Sequence, residues 1–123
     1  MYYVSVTQNF AAAHSLREYQ GKCERLHGHN YKIEVELKGP GLTKNGMVVD
    51  FTSLRQALEK VLSRFDHQHL NDIKPFDKVN PTAENIAKVI YEEMLLKFNA
   101  KKIKVSQVVV WESEGCKATY GPK

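Results

Sequence analysis

The chain lacks the marks of several large protein classes. Cysteine occurs only twice in 123 residues, at positions 23 and 116. That is too few for the disulfide framework of a small secreted domain. No apolar run approaches the ~20 residues needed to span a bilayer. The opening Met1-Tyr2-Tyr3-Val4 has neither the basic segment nor the apolar stretch of a secretory signal. These absences predict a soluble, cytoplasmic protein with reduced thiols and no membrane partner. Repeats, low-complexity tracts and linkers are missing too, so residues 1–123 are expected to form a single domain. Charge is nearly balanced, with 18 Lys and Arg against 14 Asp and Glu, for a net charge of +4. Lysines cluster only at Lys101-Lys102 with Lys104, and no basic stripe is interleaved with aromatics. A nucleic-acid partner is therefore not expected, while a small anionic substrate suits the balance.

The most informative residues present are histidines. His27-Gly28-His29 opens a run in which Tyr31, Ile33, Val35 and Leu37 alternate with Lys32, Glu34, Glu36 and Lys38. Side chains alternate faces along a strand, so the two imidazoles share one face, with Cα atoms roughly 6–7 Å apart. A second run, Tyr2 to Ala13, also reads as a strand, and Val4, Val6, Phe10 and Ala12 share the parity of His14. Two neighbouring strands can then offer His14, His27 and His29 to one ion. Three imidazoles with an open position fit a catalytic zinc, whereas closed structural sites use four ligands. Magnesium or calcium would want oxygen ligands.

Turn signals at Gly39-Pro40-Gly41 and Asn45-Gly46 mark a loop over 39–47. Asp50 reads as a helix N-cap. Leu54, Leu58, Val61, Leu62 and Phe65 follow as one helical stripe ending near Phe65-Asp66. A second helix is expected after Asn80-Pro81, capped by Thr82, with Glu84 in its first turn and an end near Phe98. Val105 to Trp111 reads as a buried strand, and Cys116 to Tyr120 as a short last one, with Cys116 packed in the sheet. The order is β-β-α-α-β-β. It implies an α+β fold: a four-stranded antiparallel sheet with two helices on one face. The uncovered sheet face and free edges imply oligomerisation.

Three further features carry chemistry. Cys23 lies just before the histidines, between Lys22 and Glu24-Arg25. It reads as an activated acid/base or nucleophile, as a fourth zinc ligand, or as an inert thiol. Asp66-His67 can be a carboxylate-oriented imidazole for acid/base work. It can equally be a helix end in which His67 or His69 caps free carbonyls. Glu112 follows the apolar run Val108 to Trp111. Turned into a pocket, its carboxylate can accept two parallel N–H bonds from an amidine-like ring edge. Glu114 is near enough to be confused with it.

Together these pieces resemble the 6-pyruvoyl-tetrahydropterin synthase family. The resemblance is carried in order by Phe10-Ala11-Ala12-Ala13-His14, Cys23-Glu24-Arg25-Leu26-His27-Gly28-His29-Asn30-Tyr31, Val49-Asp50-Phe51, Asp66-His67-Gln68-His69-Leu70-Asn71, Asn80-Pro81-Thr82-Ala83-Glu84-Asn85 and Trp111-Glu112-Ser113. It implies the tunnelling fold (T-fold), with trimers closing a barrel, two trimers stacked as a homohexamer, and active sites between subunits. It implies Zn²⁺ on His14, His27 and His29, Cys23 as a catalytic acid/base, His67 oriented by Asp66 for a second proton, and Glu112 as the pterin anchor. The implied substrate is 7,8-dihydroneopterin triphosphate. The short Cys-x-Arg-Leu-His-Gly-His spacing resembles the branch that makes a carboxylated tetrahydropterin, with loss of acetaldehyde and triphosphate, for queuosine (7-deazaguanine) biosynthesis. The alternatives are the pyruvoyl branch, which only eliminates triphosphate, and a non-catalytic zinc-stabilised binding module of the same fold.

Overall fold

Two 13-residue strands, β1 (Tyr2–His14) and β2 (His27–Gly39), form the spine of the molecule. A computed structural model describes residues 1–20, 25–100 and 102–123. The two strands run antiparallel in unbroken register from Tyr2↔Gly39 to His14↔His27. After them come α1 (Phe51–Leu62), β3 (Gln68–His69), a 3₁₀ turn (Leu70–Asp72), α2 (Ala83–Lys97), β4 (Lys104–Ser113) and β5 (Cys116–Tyr120). The sheet order is β3-β1-β2-β4-β5.

The α+β expectation holds, with one correction: the sheet has five strands and is mixed. Gln68 and His69 pair in parallel with Ala12 and Ala13. Two residues are too few to show an alternating pattern, so β3 has no signature in the sequence. A second correction concerns Cys116. It is exposed, because it sits directly after the tight β4–β5 turn at Gly115.

Both helices start as their caps dictate. The Asp50 carboxylate accepts the Thr52 N–H at 2.8 Å, and the Thr82 hydroxyl accepts the Asn85 N–H at 3.1 Å. Glu84 in the first turn of α2 and Lys97 in its last both favour the helix dipole. α1 ends at Leu62, three residues before Phe65, and the chain turns on Phe65 N–H and Asp66 N–H bonds to the Leu62 carbonyl. Phe65 still packs in the core from that turn.

The core lies between the helices and one sheet face. Phe10, Tyr31, Ile33, Val35 and Leu37 meet Leu54, Leu58, Ile86, Ile90 and Met94, all buried. Each such side chain stabilises the fold by about 1.5–3 kcal/mol. A bulge in β4 opposite Glu36-Leu37 inserts one residue, so that Val105 and Val108, three apart, both point inward. The opposite face carries Lys32, Glu34 and Glu36 on β2, with Val109 and Trp111 on β4. No helix among the described residues is long and apolar enough to cross a membrane.

Candidate active site

The alternation that fills the core continues past it to form a histidine cluster. Phe10 stacks on Tyr31, with ring centroids 4.9 Å apart, at the end of the apolar layer. The next inward residues are Ala12 opposite His29 and His14 opposite His27. One ring nitrogen from each of His14, His27 and His29 lies within 4.8 Å of the others. Each pair of rings meets edge to face at 4.6–5.0 Å.

Backbone carbonyls set two of the tautomers. His14 Nδ1 lies 2.7 Å from the Pro81 carbonyl, and His27 Nδ1 lies 2.8 Å from the Arg25 carbonyl. A carbonyl only accepts, so each Nδ1 carries the hydrogen and each Nε2 a lone pair. Those two Nε2 atoms are 3.1 Å apart. Facing lone pairs at that distance call for a cation between them. The arrangement matches that of metal-bound histidines, whose second nitrogen is held by a carbonyl or carboxylate. The donor set of three imidazoles therefore fits a borderline divalent metal.

Glu112 stands at this cluster. Its Oε1 lies 3.5 Å from His14 Nε2 and 3.6 Å from His29 Nε2. Of the two carboxylates at the end of β4, Glu112 faces the histidines. Glu114 is exposed and lines a hollow of about 230 Å³ with Asn30, Lys32, Trp111 and Ser113. The Tyr31 hydroxyl, 3.1 Å from His14 Nδ1, is pushed far up in pKa by burial and then by the Glu112 charge, and so stays protonated.

Asp66 and His67 stand apart from the cluster, at the β3 edge. Asp66 Oδ1 accepts the Ala11 N–H at 3.0 Å, and its Oδ2 lies 3.1 Å from His67 Nδ1. The His67 N–H donates to the Ala11 carbonyl at 2.6 Å. These bonds hold His67 at φ 59°, in the left-handed region. The Ala11 N–H, and secondarily His67, keep the Asp66 carboxyl below its ordinary pKa. The capping alternative is corrected. The Ser63 N–H closes the end of α1 on the Glu59 carbonyl, while His67 and His69 turn to Asp66 and Asp72. His67 lines a cleft of about 520 Å³ with Ala11, Ala13, Gly28, Asn30 and His69, and His29 of the cluster lines it as well. Cys23, with Lys22 and Glu24, lies outside the described residues.

Sequence reasoning missed the residues that brace the site. Asn71 accepts the Ser15 N–H at 2.9 Å and donates to the Ser15 carbonyl at 2.8 Å. Asn80 does the same for Arg17, at 2.8 and 2.7 Å. Two amide side chains thus continue the ladder of β1 beyond His14. Asn80-Pro81-Thr82 reads only as a helix start in sequence, and nothing local marks its cross-chain bonds.

Comparison with known proteins gives concordant results. A family model described as 6-pyruvoyl tetrahydropterin synthase matches residues 3–123. An Archaeoglobus fulgidus protein provisionally assigned as a 6-carboxy-5,6,7,8-tetrahydropterin synthase is 37% identical over 105 residues, covering 85% of this chain and 86% of that one. The 6-pyruvoyl tetrahydrobiopterin synthase of Poecilia reticulata is 36% identical over 106 residues, 75% of this chain and 72% of that one. The solved structure of Caenorhabditis elegans 6-pyruvoyl tetrahydropterin synthase superposes with a TM-score of 0.86 at 27% identity, covering 99% of this chain and 96% of that one.

Proposed function

This chain belongs to the 6-pyruvoyl tetrahydropterin synthase family and has its tunnelling fold, and within that family we propose that it is a zinc-dependent lyase. The proposed reaction converts 7,8-dihydroneopterin triphosphate and one water to 6-carboxy-5,6,7,8-tetrahydropterin, acetaldehyde and triphosphate, in the route to queuosine. The protein works in the cytoplasm as a homohexamer of two trimers. The observation that carries the reading is the carbonyl-oriented pair His14 and His27, with His29 and Glu112 at the same point.

His14, His27 and His29 would hold zinc, which supplies Lewis acidity toward the side-chain hydroxyls of the substrate. Glu112 anchors the pterin by accepting two N–H bonds from its amidine-like edge. Its carboxylate already reaches the histidines, so a ring held there has its side chain beside them. Cys23 and His67 move protons between side chain and ring. Asp66 keeps His67 in one tautomer, and the Ala11 N–H keeps Asp66 ionised for that task. In this reading each complete site lies between subunits, with the histidine cluster from one chain and His67 from a neighbour.

The short Cys23 spacing and the Archaeoglobus relative support the carboxytetrahydropterin branch. Mass spectrometry of the products from zinc-loaded protein tests it. A carboxylated tetrahydropterin is expected. A pyruvoyl-tetrahydropterin with every carbon retained would move the protein to the other branch, and no turnover would leave a zinc-stabilised binding module.

A further inference from the structure

We propose that Tyr31 is a positioning residue of the histidine site, joining the cluster to the core and fixing the rings of His14 and His29. The inference rests on the metal reading of that cluster. Tyr31 follows His29 by two residues on β2, so it shares the inward face with His27 and His29. Its side chain is fully buried. Its ring stacks on Phe10 at an interplanar angle of 16° and completes the last apolar layer. A phenylalanine would complete that layer as well. The hydroxyl adds nothing to the stack, and a buried hydroxyl is costly unless it is hydrogen-bonded.

The group it meets is a ring of the cluster. The hydrogen on His14 Nδ1 faces two oxygens, the Pro81 carbonyl at 2.7 Å and the Tyr31 hydroxyl at 3.1 Å. The carbonyl takes the shorter bond. The Tyr31 oxygen accepts from the same N–H as a second, weaker partner, since a protonated Nδ1 has no lone pair to offer the phenol. Two oxygens from different elements, β2 and the segment before α2, thus limit rotation of the imidazole about its Cβ–Cγ bond. That rotation is the one that would swing Nε2 away from His27.

The Tyr31 ring also borders both histidines edge to face. Its centroid lies 5.9 Å from that of His14, at 87°, and 5.5 Å from that of His29, at 67°. One buried side chain therefore sets the direction of two of the three imidazoles. Tyr31 gives no atom to the ion and acts through His14 and His29. Outer partners of this kind are worth about 10–100-fold in metal affinity.

The test is the zinc affinity of wild type and Tyr31→Phe, by competition against a chromophoric chelator where both zinc-free proteins are folded by circular dichroism. Tyr31→Phe keeps the Phe10 stack and loses only the hydroxyl. Its zinc dissociation constant is expected to rise roughly 10-fold, and the visible absorption bands of its Co²⁺-loaded form to shift from those of wild type. An unchanged dissociation constant and cobalt spectrum overturn the inference, whatever the melting temperature, and leave Tyr31 a core residue. A second check needs no variant. In zinc-free wild type with isotope-labelled histidine, the His14 Nδ1–H is expected to show a magnetic-resonance cross-peak to the Tyr31 ring hydrogens, and a freely turning His14 ring overturns the inference. A wild type that takes up no zinc overturns the metal reading itself, and this inference with it.

Discussion

The Nδ1 atom of His14 lies 2.7 Å from the carbonyl of Pro81, the residue just before the cap of α2. That bond ties the end of β1 to the start of a helix 67 residues away. It also turns the His14 lone pair toward His27. Replacing His14, His27 or His29 by Ala is therefore predicted to abolish stoichiometric zinc binding, measured by atomic emission on purified protein. Chelation of the wild type is predicted to lower its melting temperature. Zinc at 100 times its dissociation constant stabilises by about 2.7 kcal/mol.

Cys23→Ala is predicted to keep one zinc per chain and to lose at least about 100-fold in turnover, the usual contribution of a positioned acid/base. Loss of zinc with a lower melting temperature would instead make Cys23 a fourth ligand. Metal content and kcat on one preparation separate the two outcomes.

The Asn80 amide closes a double bond with the Arg17 backbone, and its neighbour Pro81 holds His14. Asn80→Ala leaves a partly buried N–H and carbonyl of Arg17 without these partners. The predicted cost is roughly 1–3 kcal/mol of stability, read by urea denaturation, together with weaker zinc retention against a chelator. Unchanged zinc retention would show that the clamp serves only the loop.

The Asp66 carboxyl is held below its ordinary pKa by the Ala11 N–H and by His67. A depressed carboxyl adds stability that is fully present above its unfolded value, ~3.9. That stability is lost as pH falls through the lower folded value. The melting temperature of wild type is predicted to fall more steeply than that of Asp66→Asn below about pH 4. Parallel curves would mean that the contact contributes nothing to folding.

In the proposed inter-subunit site, the histidine cluster and His67 come from different chains. His27→Ala and His67→Ala are each predicted to be inactive alone. Co-expressed, they are predicted to recover part of the activity, because mixed oligomers contain sites with both groups intact. Failure to recover any activity in isolated mixed oligomers would place each complete site within one chain.

Much of this was legible where local periodicity reaches. Strand parity alone aligned His14, His27 and His29, because a single unbroken ladder carries the pattern from Leu37 to His27. Asp50 and Thr82 announced their helices by the chemistry of their side chains. Gln68-His69 was invisible as a strand because it is defined by a partner, β1, rather than by a pattern of its own. The helix stripe overran to Phe65 because a buried side chain in a turn looks like one more helical position. The Asn71 and Asn80 clamps, and the carbonyls of Pro81 and Arg25, act through backbone atoms or across 56 and 63 residues of chain. No sequence spacing records such contacts.

The most direct measurement is acetaldehyde released per 7,8-dihydroneopterin triphosphate consumed, by native, chelated and zinc-restored protein. One acetaldehyde per substrate is predicted for native protein, lost on chelation and restored by zinc. Turnover without acetaldehyde, or turnover indifferent to chelation, would contradict a zinc-dependent carboxytetrahydropterin synthase.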